Sequence, residues 1–549
     1  MDWKKAIDTF ITSHSGVSIT PGRKDLIKEV VDRKEAFISK YGALATWTPV
    51  ESTGRSPKDT LTVRRPSSEG NIDWDSPNNI PIDEETFDML YEDGLRVLAS
   101  KPRLYVTERV LGADASYSLM VKTVTDKALT ALFTDNMFRP VPSDIGKSIF
   151  FKKPFDILVL PYDKLDSERY RGRLRVVPET GRTSDMAIAM DFDRMLGIVY
   201  GSAYGGSVKK LMFSVMNYIL PEAGILPLHS SANEGPRGDS AMFLGLSGTG
   251  KTSLSSDPSR ALLGDDEHGW GDNGIANFEN GCYAKMVNLD PEREPEIYNA
   301  VMHEADYLDH GAIVENAMMY PDGTFDFSDT RLTENSRASY PLTFLTNTKA
   351  SSVSGHPKTI VFLTADANGV IPPVARLTPE QAMLWFLMGY TSKLAGTETG
   401  IVDPVATFSR FFGEPFMPRN PDEYARLLGE KLKRHGTRVY LINTGWSGGP
   451  YGEGERMDIR LTRRILESVL NGELESVEYE KDSIFHLYIP KNVPGLQSQQ
   501  VLNPRNTWKD KDAYDARARR LAAQFSDHFD KAYGNKGIDK EVETQCPGK

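Results

Sequence analysis

The octapeptide Gly245-Leu-Ser-Gly-Thr-Gly-Lys-Thr252 constrains this chain more than any other stretch. It fits the pattern G-x-x-x-x-G-K-[ST], in which glycines let backbone N–H groups curl around phosphate oxygens. Lys251 is placed to reach the β- and γ-phosphates of a nucleotide, and Thr252 to offer its hydroxyl to Mg²⁺. The residues before it, Ala241 to Leu244, read as a buried strand, which is the upstream context such a loop requires. The downstream context is unusual. Pro258 cuts the following helix short, and the next strand-like run ends in Asp265-Asp266, where ordinary nucleotide hydrolases have a full helix and carry their acidic ligand much later. A strand-end carboxylate beside a phosphate loop can still hold Mg²⁺ directly or through water. The competing reading of residues 245–252 is a glycine-rich turn, and of Asp265-Asp266 a solvated turn.

Around this loop the second half of the chain is a series of short apolar runs ending in polar loops: Ile225 to His229, Ala241 to Leu246, Ala261 to Asp265, Ile360 to Ala365 and Val439 to Asn443. Strands that end this way are how α/β proteins present a site. The first half mixes elements. Helices are predicted over Lys24 to Tyr41, Asp83 to Ala99 and Lys127 to Phe138, and strands over Leu104 to Val110, Leu119 to Val124 and Ile157 to Leu160. Gly205-Gly206 opens an apolar helix that Pro221 stops near Leu220. A domain boundary is expected near residues 221–224, giving domains 1–222 and 223–534. Asp510 to Tyr533 reads as a docking helix, with Tyr514, Ala518, Leu521, Phe525 and Phe529 on one face, and residues 535–549 as a flexible tail.

At 549 residues the chain is long enough for several domains. The balance of 65 basic against 76 acidic residues gives −11, which argues against a nucleic-acid-binding surface but not against a local basic pocket. No apolar run approaches the 18 residues of a membrane span. The N-terminus lacks a signal-peptide core, and two cysteines, Cys282 and Cys546, make no disulfide framework, so a cytoplasmic location is expected.

Several further residues carry chemistry only in combination. His229 closes an apolar run just ahead of the phosphate-loop strand, where a lone histidine is more often a capping or satisfied residue than a ligand. Lys209-Lys210 are expected in the first turn of the helix opened by Gly205-Gly206. Consecutive helical residues point about 100° apart, so the pair can serve two targets or simply form a solvated face. Cations in a first helical turn oppose its dipole, which hints at an anionic partner. Arg55, in Thr53-Gly-Arg-Ser-Pro-Lys-Asp59, can fork onto a carboxylate from a basic loop. Arg337 lies in another polar loop, Thr333-Glu-Asn-Ser-Arg337, which ends at Tyr340-Pro341. Each alone is an ordinary surface feature.

Together the stretches TGRSPKD (53–59), YGGSVKK (204–210), LHSSAN (228–233), GLSGTGKTSLS (245–255), LLGDDEHGW (262–270), GCYAK (281–285), REPEI (293–297), TENSRASYP (333–341), GYTSKLAGTE (389–398) and NTGWSGG (443–449) resemble the ATP-dependent phosphoenolpyruvate carboxykinases. They occur in family order and span most of the chain. Ser207-Val208 stand where Glu-Met is commoner, and residues 64–80 match no family stretch. The GTP-using relatives carry a cysteine in the phosphate loop; residues 245–252 contain none.

The resemblance implies a mixed α/β (α+β) two-domain fold, with an atypical P-loop in the C-terminal domain and the active site in the interdomain cleft. It implies a carboxy-lyase of gluconeogenesis that reversibly converts oxaloacetate and ATP to phosphoenolpyruvate, ADP and CO₂. By motif position, Arg55 grips a substrate carboxylate and Tyr204 lines the same pocket. Lys210, which must be neutral to ligate, joins His229 and Asp266 around Mn²⁺. Lys209 contacts substrate or the transferred phosphoryl group. Ser247, Gly248, Thr249, Gly250, Lys251 and Thr252 wrap the triphosphate, with Thr252 on Mg²⁺ and Asp265 behind it. Arg337 bridges the γ-phosphate and the substrate, Glu294 reaches the ribose, and Arg456, Met457 and Thr462 line the adenine pocket. The small-residue stretch 389–400, with Gly396 near its centre and following an apolar helix expected to end at Tyr390, is the expected lid. Two other readings fit residues 245–252: a different small-molecule kinase, or a nucleotide-binding regulatory protein without catalysis. None of these motifs encodes an oligomeric state.

Overall fold

The structure is a computed structural model and describes residues 2–393 and 405–549. The chain divides into two compact units, Met1–Ile219 with Asn277–Ser351, and Leu220–Ala276 with Ser352–Lys549. The first crossing falls close to residue 222, but the second half is not contiguous as expected, because residues 277–351 return to the first unit. The reason is a five-stranded sheet in the order Gly281–Lys285, Arg337–Pro341, Ile313–Glu315, Leu44–Thr46, Phe37–Ile38. Its pairing of Ile313–Glu315 with Leu44–Thr46 joins segments that no local pattern links.

The main sheet of the first unit has eight strands, in the order Val17–Ile19, Leu104–Leu111, Leu119–Thr125, Phe155–Leu160, Leu196–Tyr200, Ala187–Asp191, Thr60–Val63, Ile80–Ile82. Parallel and antiparallel pairs are mixed. Strand side chains alternate between faces. Leu196, Ile198 and Tyr200 therefore pack in one core with Phe87, Leu90 and Tyr91 of helix Glu84–Ala99. Between them Gly197 faces the other way, and a Cβ there would lie 3.3 Å from Leu211 of helix Gly205–Ile219.

In the second unit, strand Ser240–Gly245 runs antiparallel to Leu226–Glu234 and parallel to Thr359–Thr364, which runs parallel to Arg438–Asn443. Met242, Leu244, Ile360 and Phe362 face a core shared with helices Pro379–Met388 and Lys511–Tyr533. Ala241, Phe243, Val361 and Leu363 face the opposite core, with Ile465, Leu466 and Val469 of helix Ile459–Leu470. Burial on both faces is why these strands read as unbroken apolar runs. No described helix is long and apolar enough to cross a membrane.

Four expectations are corrected. The first long helix is Arg23–Asp32 and does not reach Tyr41. Lys34 takes φ 57°, and the Glu35 carboxylate then accepts from Arg33 Nε at 2.9 Å and from the Leu129 N–H at 2.8 Å, turning the chain into strand Phe37–Ile38. Residues 535–549 are ordered. Val542 and Cys546 are buried in the same core as Tyr514, Leu521, Phe525 and Phe529, and Lys549 Nζ bonds Asp530 at 2.5 Å and Glu543 at 2.8 Å. His229 does not end its strand but lies within Leu226–Glu234. The apolar helix before the expected lid ends at Met388, where Gly389 takes φ 52° as its cap. From residue 394 to 400 that lid, Gly396 included, lies outside the described residues.

Candidate active site

The phosphate loop is built by steric demands on its glycines. A Cβ at Gly245 would lie 2.5 Å from Thr249 Oγ1 and 2.9 Å from Leu363 Cβ, so only glycine lets the strand end fold back on itself. Gly248 and Gly250 take φ 84° and 89°, the left-handed region that disfavours any side chain. The loop carbonyls are held by one side chain of the loop and two from outside it. Thr249 Oγ1 donates to Leu246 O at 2.7 Å, Thr444 Oγ1 to Thr249 O at 3.1 Å, and Arg456 Nη2 to Gly248 O at 3.3 Å. Ser247 and Gly248 are exposed. The helix that follows is only Lys251–Ser255, short as Pro258 requires, and Thr252 is its second residue.

Strand Ala261–Gly264 delivers Asp265 and Asp266, both half-buried, to this loop. Lys251 Nζ lies 3.0 Å from Asp266 Oδ1, and His229 Nε2 lies 2.9 Å from the same oxygen. The His229 Nδ1 is 2.6 Å from the Phe412 carbonyl, which can only accept, so Nδ1 carries the proton. In the neutral ring the Nε2 lone pair therefore faces a carboxylate oxygen. A histidine anchored through one nitrogen to a backbone carbonyl, with its other nitrogen beside a carboxylate, is the donor arrangement of a divalent metal site. The residues fit such a cation.

Arg456 also comes to this loop, and Met457 to the neighbouring turn at Gly445. Arg456 Nε donates to Thr444 O at 3.2 Å, its guanidinium lies 5.5 Å from the Trp446 ring centre, and the Met457 N–H donates to Gly445 O at 2.8 Å. Thr462 is buried in helix Ile459–Leu470, with its hydroxyl turned to Asp458 O of its own first turn.

In the first unit, Gly205-Gly206 open helix Gly205–Ile219 for a reason of space. A Cβ at Gly206 would meet the Tyr204 ring at 2.3 Å, and one at Gly205 the Phe133 ring at 2.7 Å. Tyr204 is buried and stacks obliquely on Tyr283, ring centres 5.7 Å apart. The lysine pair lies in the second helical turn rather than the first, beyond the strongest reach of the dipole. The two do serve different targets. Lys209 is buried and pairs with buried Glu279 at 2.9 Å, whereas Lys210 Nζ sits 5.0 Å over the Phe213 ring. Removing one partner of a buried pair strands a charge, at a typical cost of about 3–5 kcal/mol.

Arg55 is exposed on its loop. Arg337 is not in a loop but begins strand Arg337–Pro341, opposite Glu315 in register. Its Nε donates to Asn335 Oδ1 at 3.0 Å, and its guanidinium lies 5.9 Å from the Tyr283 ring centre. Glu294 caps helix Pro295–Met302 by position but makes no capping bond through its side chain; burial, with Asp290 nearby, raises its pKa.

The sequence motifs assign no role to four residues that contact these positions: Glu279, Glu315, Asn335 and Tyr283. Glu315 is buried, accepts hydrogen bonds from the Tyr283 hydroxyl and from the Gly205 N–H (3.1 Å), and burial pushes its pKa up to about 7. It borders a cavity of about 370 Å³ that Tyr204 and Tyr283 also line. The available signal was a lone acid in the apolar run Ala312-Ile-Val-Glu315.

A family model described as phosphoenolpyruvate carboxykinase matches residues 16–499. The chain is similar to the phosphoenolpyruvate carboxykinase (ATP) of Caldanaerobacter subterraneus subsp. tengcongensis, 45% identical over 526 residues and 95% of each chain. It is likewise 45% identical to that of Thermus thermophilus, over 95% of each chain, and 47% identical to that of Geobacillus kaustophilus, over 92% of each.

Proposed function

The chain belongs to the family of ATP-dependent phosphoenolpyruvate carboxykinases, and we infer that it converts oxaloacetate and ATP to phosphoenolpyruvate, ADP and CO₂. The observation that carries this reading is the family match over nearly the whole chain. The first unit takes the substrate-binding role and the second the nucleotide-binding role.

Arg55 grips a carboxylate of oxaloacetate, and Tyr204 walls the pocket. The C–C bond to the departing carboxylate breaks, CO₂ leaves, and the electron pair becomes an enolate. Lys209, held in place by Glu279, supports the negative charge on that oxygen. The enolate oxygen attacks the γ-phosphorus in line, and the bond to the β,γ-bridging oxygen breaks to release ADP. Lys251 and Arg337 neutralise charge on the transferring group, while the loop from Ser247 to Thr252 holds the triphosphate. Glu294 binds the ribose, and Arg456, Met457 and Thr462 border the adenine. We assign Lys210, His229 and Asp266 to Mn²⁺, and Thr252, with Asp265 behind it, to Mg²⁺. When bound, divalent cations supply Lewis-acid stabilisation of enolate and phosphoryl oxygens. No protein nucleophile is required.

An assay that follows phosphoenolpyruvate and CO₂ formation from oxaloacetate tests this, with ATP against GTP and with or without added Mn²⁺. Metal-dependent product formation that prefers ATP is expected. Absence of both products with ATP and Mn²⁺ would sink the assignment in favour of another phosphoryl transfer.

A further inference from the structure

We propose that Asn335 is a positioning residue that holds Arg337 and the Arg55 loop in fixed relation to each other. The inference rests on the assignment of Arg55 and Arg337 to substrate and phosphoryl group. Asn335 Nδ2 donates to the Thr53 carbonyl at 3.0 Å, and Asn335 Oδ1 accepts from Arg337 Nε at 3.0 Å. The two partners are more than 280 residues apart in sequence, and Thr53 is two residues from Arg55. The polarity is forced by chemistry. A carbonyl only accepts and a guanidinium only donates, so the bridging side chain must do both at once in opposite directions. A short amide satisfies this; a carboxylate, an alkyl group or a hydroxyl of one carbon's reach does not.

The amide is itself pre-set. The Asn335 N–H donates to Thr333 Oγ1 at 3.1 Å, which folds the stretch Thr333-Glu-Asn-Ser back on itself just before strand Arg337–Pro341 begins. The hydrogen bond to Nε also selects which face of Arg337 is used. With Nε engaged and the ring of Tyr283 beside the guanidinium, the terminal Nη groups form no hydrogen bond among the described residues. They are the forked pair that an arginine presents to phosphate or carboxylate. Because the partner is neutral, it orients Arg337 without the ion pair that a carboxylate would form in competition with a ligand.

The test uses the full chain with Asn335→Asp, Asn335→Ala, Arg337→Ala, Arg55→Ala and the double variant Asn335→Ala/Arg337→Ala. Each is checked for folding by thermal melting. Asp loses the donor to Thr53 and sets a charge against Arg337 that competes with the ligand, so Asn335→Asp is expected to raise KM for oxaloacetate about tenfold and to lower kcat about tenfold. Asn335→Ala loses both bonds and is expected to lower kcat about tenfold as well. Because its effect on kcat runs through Arg337, adding it to Arg337→Ala should lower kcat no further. A residue that merely supported the fold would lower kcat equally on either background, and that result overturns the proposal. So does an Asn335→Ala enzyme with wild-type constants beside crippled Arg55→Ala and Arg337→Ala enzymes. If the two arginine variants themselves turn over normally, the site assignment fails and the inference with it.

Discussion

Glu315 should make the stability of the first unit depend on pH, and the replacement Glu315→Gln should remove that dependence. The carboxyl is buried, and loss of solvation pushes its pKa from the ordinary 4.5 to about 7, against the opposing pull of Tyr283, the Gly205 N–H and Arg337. At 1.36 kcal/mol per pH unit this corresponds to about 3 kcal/mol. The sign follows from which state holds the proton. Below about 4.5 the group is neutral in both folded and unfolded chains and costs nothing. Between 4.5 and 7 the unfolded chain ionises while the folded one does not, which favours unfolding. Stability from this group is thus fully present in acid and lost as pH rises through 7. Glutamine is neutral throughout and nearly the same shape. Urea titrations of both proteins from pH 4 to pH 8 would give the wild-type minus variant difference in unfolding free energy, in which other titrating groups cancel. That difference should move against the wild type by about 3 kcal/mol across the range. A flat difference would refute the reasoning. It would mean that water in the adjoining cavity hydrates the carboxylate, so that burial does not control its proton affinity.

Three further outcomes are expected. Gly206→Ala places a methyl 2.3 Å from the Tyr204 ring, so it should displace the ring, raise KM for oxaloacetate more than KM for ATP, and lower the melting temperature; equal effects on both KM values would count against Tyr204 as a substrate-pocket wall. Asp266→Asn removes the charge on which His229 and Lys251 converge, and kcat should drop by at least about 100-fold while the requirement for added metal rises; unaltered turnover at low Mn²⁺ would break the metal assignment. Deleting residues 535–549 uncovers the core that Val542 and Cys546 close and should destabilise the second unit by about 3–5 kcal/mol, read as a lower urea midpoint; an unchanged midpoint would show the segment to be dispensable.

The parts of the fold written in consecutive residues were legible. The loop from Gly245 to Thr252 declares its own backbone path, and Pro258 fixes the length of the helix after it. The strands Ser240–Gly245, Thr359–Thr364 and Arg438–Asn443 are buried on both faces, so they stand out as apolar runs. What was not legible depends on partners far away in the chain. Lys209 looks like half of a solvated pair until Glu279, 70 residues on, is seen beneath it. Residues 277–351 join the first unit through the pairing of Ile313–Glu315 with Leu44–Thr46, and no spacing rule announces a strand pair so distant. The helix expected to reach Tyr41 fails because the Glu35 carboxylate finds the Leu129 N–H, a tertiary bond that overrides a helical period. The last segment looked like a tail because its charged residues outnumber the two side chains that anchor it.

On the site assignment proposed above, a chain of net charge −11 serves anionic substrates through a few locally placed cations. Its cations are held in two ways. Lys209 and Lys251 are paired with carboxylates, Glu279 and Asp266. Arg337 instead leans on a neutral amide and an aromatic ring. On that assignment, a phosphate oxygen that reaches Lys251 would replace its contact with Asp266, whose carboxylate, beside His229, would face the cation. Nucleotide and divalent cation should therefore each favour the other's arrival. Arg337 needs no such exchange, since its nearest acid across the strand pair, Glu315, is buried and holds its proton up to about pH 7. The same burial that penalises Glu315 above that pH thus keeps a competing charge away from the arginine assigned to the transferring phosphoryl group.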